Sequence, residues 1–338
     1  MEPKIEKNMA KITFANQPKL SEHEADAKFN EVRISLLPYI TEYLSSSEFF
    51  KDKEVIVNFS HKGVSSLVAI IEITGEKYVL KISLSESYSF GEGQFLQAWE
   101  KVGVKVPHVF ETGKIFNRPY TLMECIDALP LSDVLETFDE QKRKEATVEM
   151  GRILQTMHTS VASGYGRSLE GEPEFATFKD WLECPDMKKR FDYVLENKLL
   201  GDEHGSVARM SEILIAHALA SKSTYCHDDF GSPNIFATEP LTVFDPNPRF
   251  NDGYIDLGRS LFGSIVYGRG EQVCEQLIEG YFDGKPYDKQ ALHASILLAS
   301  YMKFPYSHKT KRMENIKRAQ DYLIKNRYLL EAQTKYTA

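Results

Sequence analysis

The stretch Thr224–Asp245 constrains the fold of this chain more than any other part of the sequence. Two apolar, strand-like runs flank a loop that is punctuated by Gly231-Ser232-Pro233. Asp229, Asn234 and Asp245 follow one another within 17 residues, and their side-chain oxygens are of the kind that bind Mg²⁺. A lone Asp or Asn in such a loop is usually a turn residue, but the ordered set of three indicates a site.

Strand-like runs precede this stretch. The pattern is helical between Phe29 and Tyr43, where Pro38 is expected to kink or split the helix. It then changes to three short β-rich runs between residues 54 and 83, with Gly75 in the turn that joins the last two. These runs predict a small sheet that contains a hairpin.

Lys81 lies on the third of these runs, on the same face as Val79. It is either an edge-strand lysine that faces water or a lysine that binds phosphate. Glu92, in the short helix predicted next, is a candidate partner for Lys81 and is otherwise a solvated glutamate. Ser65 and Ser66 end a loop with one glycine and several hydroxyl side chains. Such a loop can bring backbone N–H groups to a phosphate, although no G-x-G-x-x-G is present.

A linker divides the chain into two parts. Tyr120–Glu124 has the pattern of a strand, and residues 126–130 have the character of a linker. We therefore expect two domains, 1–124 and 125–338, which meet near Glu124 and Ile126. The second is expected to be mostly helical, because apolar residues recur at three- and four-residue spacing through most of it.

The composition disfavours several classes of protein. With 41 basic and 49 acidic residues, the chain has a net charge of −8, so we expect no nucleic-acid partner. No apolar run is long enough to cross a bilayer, so we expect no membrane partner. The four cysteines lie far apart without a C-x-x-C pair, which favours reduced thiols in a cytoplasmic protein.

The polar groups of the central loop suit phosphoryl transfer from ATP. This reaction needs positioning and charge neutralisation more than covalent chemistry by the protein. Asp229 is the candidate carboxylate that faces the acceptor hydroxyl, and Asn234 and Asp245 are the candidate ligands of Mg²⁺. His227 is expected to be a hydrogen-bonded core residue that supports the loop.

The loop resembles the catalytic loop of a known family. His227–Asn234 is similar to the H-G-D-x-x-x-x-N motif of the aminoglycoside phosphotransferases, small-molecule kinases related to protein kinases. Phe244-Asp245 resembles the family's metal-binding strand, and Asp252–Leu257 resembles its G-D-P-x-x-D-L segment. Asp228 stands where the family usually has Gly, and is either a surface carboxylate or one that perturbs its neighbour. Asp245–Pro248 is a D-P-x-P variant that resembles the streptomycin and hydroxyurea kinase branch.

This resemblance, which extends from about residue 50 to residue 270, implies a fold and a set of roles. The fold is α+β, bilobal and protein-kinase-like, with a small antiparallel-sheet N-lobe and a larger, mostly helical C-lobe. ATP, or alternatively GTP, would bind with Mg²⁺ between the lobes, with its adenine beside Glu124 and Ile126. Lys81 would contact the phosphates and pair with Glu92, and Asp229 would be the catalytic carboxylate.

The acceptor is expected to be a small molecule with a hydroxyl group. The resemblance favours an aminoglycoside-type antibiotic, a polycation that needs carboxylates around it. The candidates for these carboxylates, each otherwise a surface residue, are Glu172, Glu174, Asp180 and Asp252. A metabolic sugar or amino-alcohol kinase is the alternative within the same fold. A non-catalytic nucleotide-binding protein is a further alternative, which the joint presence of the lysine, the two aspartates and the asparagine disfavours.

Overall fold

The computed structural model describes residues 10–20, 27–60, 65–84, 91–169, 171–200 and 206–331. By its internal contacts, the chain divides into two compact units. The first unit takes in residues 1–97 and 107–127, and the second takes in residues 98–106 and 128–338. No helix of the described residues is both long enough and apolar enough to cross a membrane.

A six-stranded sheet forms the centre of the first unit. Its strands are β1 (Lys11–Phe14), β2 (Glu54–Phe59), β3 (Ser66–Ile73), β4 (Glu76–Ser83), β5 (Val109–Ile115) and β6 (Arg118–Glu124). Their order is β1-β2-β3-β4-β6-β5, with β1 parallel to β2 and the other pairs antiparallel. In β2 and β3 every second side chain is buried, which is the pattern of a sheet with one face on a core.

The helices that accompany this sheet are α1 (Asn30–Ser35), α2 (Leu37–Ser46) and α3 (Gly91–Lys101). The predicted break at Pro38 is confirmed, because α1 ends at Ser35 and Pro38 lies in the first turn of α2. Proline is tolerated there because the first N–H groups of a helix have no partner within the helix. Ile40 and Leu44 on α2 are fully buried and share one hydrophobic core with the strands.

Two small sheets belong to the second unit. Their strands are β7 (Tyr165–Leu169), β8 (Glu172–Phe175), β9 (Ser223–Cys226), β10 (Ile235–Phe236), β11 (Thr242–Val243) and β12 (Arg249–Asp252). The order β8-β7-β12-β9 makes one antiparallel sheet, and β10 pairs with β11 in a hairpin. Sequence analysis missed the four-stranded sheet, because strands of four or five residues show too little alternation to be recognised.

Helices make up most of the rest of the second unit. They are α4 (Leu131–Val134), α5 (Glu140–Met157), α6 (Phe178–Leu182), α7 (Pro185–Glu196), α8 (Ser206–Ala220), α9 (Gly253–Val266), α10 (Glu271–Phe282), α11 (Lys289–Lys309), α12 (Met313–Lys325) and α13 (Tyr328–Glu331). Helices α9 and α11 are buried along most of their length. Helix α11 packs against α7, α8, α9 and α12. The α+β, protein-kinase-like fold expected from the sequence is confirmed.

Gly151 on α5 and Gly280 on α10 let these two helices approach closely. A Cβ atom on Gly280 would overlap the backbone carbonyl group of Val148, and one on Gly151 would overlap the backbone oxygen of Leu277. Backbone atoms in packed helices cannot move aside as a flexible side chain can, so the contact requires glycine at both positions.

We expect Gly280→Ala to lower the free energy of unfolding by about 1–3 kcal/mol, because the added methyl group overpacks the contact between α5 and α10. Urea denaturation measures this loss. Gly263→Ala on α9 is the matched control, since a Cβ atom added there would meet no atom within 4 Å. The control should be neutral or stabilise by about 0.5–1 kcal/mol. Equal losses in the two variants would contradict the close approach.

Candidate active site

The central loop begins directly after strand β9. β9 pairs with β12, with Cys226 opposite Arg249, and the chain leaves the sheet directly after Cys226. Residues 232–234 form a 3₁₀ turn, and the hairpin of β10 and β11 follows with Ile235 opposite Val243. The loop therefore begins on one sheet and ends on another, which fixes both of its ends.

Asn234 holds Asp229 in place. Its Nδ2 group donates to the backbone oxygen of Asp229 at 2.8 Å and to Oδ2 of the same residue at 3.2 Å. The backbone N–H of Asn234 donates to the oxygen of Gly231 at 2.9 Å, which closes the turn. Both side-chain bonds use the amide nitrogen, so the amide oxygen is the atom that suits a cation. The Asp229 side chain is 56% exposed.

Asp245 lies two residues beyond β11, so the expectation that it sits on a strand is wrong. It is exposed and has a backbone φ of +56°, a conformation that Asp tolerates better than most residues. The preceding N–H, that of Phe244, donates to the oxygen of Asn234 at 3.0 Å. This bond ties the chain next to Asp245 to the turn that carries Asn234.

Asp228 is the centre of a buried cluster of charges, and the interpretation of it as a surface carboxylate is wrong. Its side chain is 5% exposed and lies 2.5 Å from Nη1 of Arg259 and 2.9 Å from Nε of Arg249. Asn247 donates to it through Nδ2 at 2.8 Å. The charge of this carboxylate is thus neutralised by two guanidinium groups, one from β12 and one from α9.

A second buried carboxylate, Asp256 on α9, holds the backbone of the loop. It accepts the N–H of His227 at 2.6 Å and that of Asp228 at 2.8 Å, and Nε2 of His158 lies 3.2 Å away. Burial raises the pKa of the Asp256 carboxyl, but the hydrogen bond and charge of His158 and the contacts with His227 outweigh it and lower the pKa below its ordinary value. The ionised form is the one that anchors the loop.

The prediction that His227 supports the loop is confirmed. The side chain is fully buried, and its Nε2 atom lies 3.0 Å from the carbonyl oxygen of Phe244. Its ring stacks on Trp99 with 5.8 Å between centroids. His227 therefore joins the start of the loop to the chain just before Asp245.

Lys81 and Glu92 form a largely buried ion pair in the first unit. Nζ of Lys81 lies 2.7 Å from Oε1 of Glu92, and the two side chains are 12% and 16% exposed. Strand β4 runs between β3 and β6, so the alternative of an edge-strand lysine is wrong. The neighbouring Gly93 lets α3 approach the sheet, since a Cβ there would overlap the side chain of Thr112.

The other residues assigned to nucleotide binding lie at the borders of the same sheet. Ser66 is the first residue of β3 and pairs with Ser83, and the backbone oxygen of Ser65 accepts the N–H of Leu84 at 2.9 Å. Residues 61–64 of the predicted phosphate loop lie outside the described residues. Glu124 ends β6, and its backbone N–H donates to the backbone oxygen of His108 at 2.8 Å. The backbone N–H of His108 donates in turn to Oε2 of Glu124 at 3.2 Å. Ile126 follows it in the linker and is half-buried.

Three of the four carboxylates suggested for a polycationic acceptor have positions that the structure accounts for without a ligand. Glu174 pairs with Arg167 at 2.7 Å, Asp180 lies in the first turn of α6, and Asp252 caps α9 through the N–H of Tyr254. Among the described residues, neither these three nor Glu172 line the cavity that surrounds Asp229.

This cavity has a volume of about 1160 Å³ and is lined by residues of the second unit alone. Lys303 on α11 is one of them, and its Nζ lies 3.5 Å from Oδ1 of Asp229. The positive charge of Arg259, together with partial burial, lowers the pKa of Lys303 despite the attraction of Asp229 and Asp228. Sequence analysis missed Lys303, because a single lysine near the end of a helical run carries no motif.

A comparison with protein families decides what kind of protein carries this site. The model of a phosphotransferase enzyme family, abbreviated APH, matches residues 57–286, which is more than half of the chain. The chain belongs to this phosphotransferase family. It is therefore a phosphotransferase, an enzyme that transfers a phosphoryl group. No curated protein matches it in sequence.

Solved structures share the fold of this phosphotransferase. A ternary complex of a thermostable mutant of aminoglycoside phosphotransferase APH(4)-Ia with ADP and hygromycin B has a TM-score of 0.58 and 15% identity, over 83% of this chain and 95% of that one. The structure of APH(4)-Ia itself has a TM-score of 0.56 and 16% identity, over 88% and 98%. Plasmodium vivax ethanolamine kinase has a TM-score of 0.50 and 11% identity, over 90% of each chain. At these identities the likeness shows the fold alone.

Loss of charge should affect stability strongly at Asp228 and hardly at all at the neighbouring Asp229. We expect Asp228→Asn to lower the free energy of unfolding by about 3–5 kcal/mol, because it leaves two guanidinium groups without their carboxylate. Asp229→Asn is the matched control and should change it by no more than about 0.5 kcal/mol, since its side chain is exposed. Urea unfolding measures both, and a similar loss in the two variants would contradict the buried cluster.

Proposed function

We propose that this phosphotransferase is an ATP- and Mg²⁺-dependent kinase that phosphorylates a hydroxyl group of a small molecule. The observation that carries the proposal is the exposed Asp229 carboxylate, which Asn234 holds in a turn anchored by buried carboxylates. Family membership and the likeness to a complex with ADP support ATP as the phosphoryl donor.

Asp229 orients the acceptor hydroxyl and takes its proton. The hydroxyl oxygen forms a bond to the γ-phosphorus of ATP, while the bond from that phosphorus to the bridging oxygen breaks and ADP leaves with the electron pair. A carboxylate that is exposed and held by Asn234 is pre-positioned for this role. The buried Asp228 cannot serve in its place, because its oxygens are occupied by Arg249, Arg259 and Asn247.

Asn234 and Asp245 are the proposed ligands of Mg²⁺. An amide oxygen and a carboxylate are hard ligands of the kind this ion prefers, and phosphate and water would complete its coordination. The bond from the N–H of Phe244 to the oxygen of Asn234 supports a shared site. When bound, the metal neutralises charge on the phosphates during transfer.

Lys81 is the proposed phosphate-binding residue of the first unit. Its ion pair with Glu92, at 2.7 Å, fixes the position of the ammonium group. Ser65 and Ser66 are proposed to contribute to the phosphate loop. Glu124 and Ile126 are proposed to border the adenine, where backbone groups of a linker can bind its edge.

Two classes of acceptor are candidates. An aminoglycoside-type antibiotic is supported by the fold likeness to an enzyme that was solved with hygromycin B. A metabolic kinase is the second candidate. It is favoured by the cavity around Asp229, in which basic side chains outnumber acidic ones and which, among the described residues, none of the four suggested carboxylates lines.

Purified protein incubated with Mg·ATP and a panel of hydroxylated compounds tests the activity. The panel holds aminoglycosides, sugars, sugar acids and amino alcohols, and ³¹P NMR detects a phosphate ester. We expect ester formation with at least one class, accompanied by release of ADP. Absence of transfer to every acceptor, together with absence of Mg·ATP binding, would contradict the proposal.

Asp229→Asn should lower kcat by about 100-fold or more, because the hydroxyl loses the group that accepts its proton. The dissociation constant for Mg·ATP should stay within about twofold, because this side chain faces the acceptor. Steady-state kinetics and nucleotide titration provide the two readouts. Unchanged turnover would remove Asp229 from its proposed role.

Asp245→Ala should weaken nucleotide binding in the presence of Mg²⁺ and leave binding without metal unchanged, because it removes one metal ligand. Asp283→Ala is a matched control, since Asp283 is also exposed and has a left-handed backbone, with a φ of +49°. Titration of each variant with ATP, with and without Mg²⁺, measures the difference between Asp245→Ala and its control. An unaltered metal requirement in Asp245→Ala would count against the assignment.

A further inference from the structure

The cavity around Asp229 is basic, although the chain as a whole is acidic. Six Lys or Arg side chains and four Asp or Glu side chains line it, whereas the formal net charge of the chain is −8. The basic side chains are Arg143, Lys144, Arg259, Arg269, Lys303 and Arg312. The lining therefore has an excess of positive charge, whereas the whole chain has an excess of negative charge.

Acidic side chains of the lining do not neutralise all of this charge. Asp228 is bound to Arg259, and Glu136 lies 3.6 Å from Arg143. Within the described part of the chain, Arg269 makes no ion pair with a carboxylate, and its pKa is lowered chiefly by burial. Arg312 likewise has no carboxylate partner there, and its guanidinium lies 5.3 Å from the ring centre of Tyr306.

Two observations close to Asp229 indicate that an anion belongs in the cavity. The first is the closeness of two cations, since the positive charge of Arg259 is the largest cause of the lowered pKa of Lys303 and Nζ of Lys303 lies 3.5 Å from Asp229. The second is a pair of buried polar atoms, Oγ of Ser232 and Nε of Arg259, both on side chains that line the cavity. Neither has a hydrogen-bond partner among the described residues. Buried polar atoms without partners are rare in folded proteins.

We propose that the acceptor carries an anionic group, a carboxylate or a phosphate, near the hydroxyl that becomes phosphorylated. Lys303 binds this group beside the reactive centre, because its Nζ is 3.5 Å from Oδ1 of Asp229. Arg269 and Arg312 supply further positive charge in the same cavity. The inference rests on the proposed function, since it takes Asp229 to face the acceptor. It names a hydroxylated anion as the acceptor class, in place of a polycation.

The sign of the potential can be tested without any knowledge of the acceptor. Tyr306→Cys, in a Cys125→Ser background, places a thiol in the cavity, and the remaining cysteines are buried. The probes are an anionic and a cationic methanethiosulfonate reagent, each with its rate constant normalised to that for free cysteine. Leu219→Cys on α8 is the control, since Leu219 is 84% exposed and does not line the cavity.

At low ionic strength, we expect the anionic-to-cationic rate ratio to be about tenfold or more higher at position 306 than at position 219. Adding Lys303→Gln and Arg312→Gln to the Tyr306→Cys protein should lower this ratio. Adding Lys317→Gln, the same change of charge at an exposed site outside the cavity, should not. Equal ratios at the two labelled positions would overturn the proposal, whether or not the enzyme shows activity.

A set of matched acceptors supplies the kinetic test. Gluconate, glucose and glucosamine offer similar hydroxyl groups on six carbons with negative, neutral and positive charge, and glucose 6-phosphate distinguishes a phosphate from a carboxylate. We expect kcat/KM to be higher for one of the anions than for glucose or glucosamine. Where turnover is absent, we expect one of the anions to bind more tightly in the presence of Mg·ADP. A preference for glucose, glucosamine or hygromycin B over both anions would overturn the inference while leaving the kinase activity intact.

Lys303→Gln separates acceptor binding from nucleotide binding. We expect it to raise KM for the anionic acceptor by about tenfold and to leave KM for ATP within about twofold, because one charge-assisted contact is lost. Lys317→Gln should change neither value. An increase confined to KM for ATP would assign Lys303 to the nucleotide phosphates and contradict the proposal.

Discussion

The hydrogen bonds from the backbone of His227 and Asp228 to the buried Asp256 carboxylate fix the loop on which the site depends. A buried carboxylate is costly unless its oxygens are fully bonded, and here His158 also contacts it. Because α9 is buried along most of its length, its Asp256 side chain bonds the loop to the helical core of the second unit. The positions of Asp229 and Asn234, which follow in the loop, are therefore set by bonds to the helical core.

Asp228 and Asp229 are adjacent in sequence but have opposite environments. Asp228 is enclosed by Arg249 and Arg259, whereas the side chain of Asp229 is 56% exposed and held by Asn234. A left-handed backbone at Asp228, with a φ of +59°, accompanies this separation. The extra carboxylate thus acts as an anchor for the loop and leaves its neighbour available for chemistry.

The parts of the candidate site that could be predicted from the sequence are the stretch from Asp229 to Asp245 and the pair of Lys81 with Glu92. Asp229, Asn234 and Asp245 were recognisable because a strand–loop–strand and a motif of fixed spacing place them together. Lys303 and the role of Arg259 could not be predicted, because α9 and α11 bring them to the loop only through tertiary packing. Burial of Asp228 could not be predicted either, because the sequence of a loop does not show which arginines will surround its polar residues.

Two buried carboxylates anchor the catalytic loop, Asp256 by accepting its backbone N–H groups and Asp228 through its ion pair with Arg259. A double-mutant cycle with Asp228→Asn and Arg259→Gln, followed by urea unfolding and by kcat, tests this anchoring most directly. We predict a coupling free energy of about 1.5 kcal/mol or more between the two sites, with a loss of kcat in both single variants. Additive losses of stability, with kcat unaffected, would contradict the account.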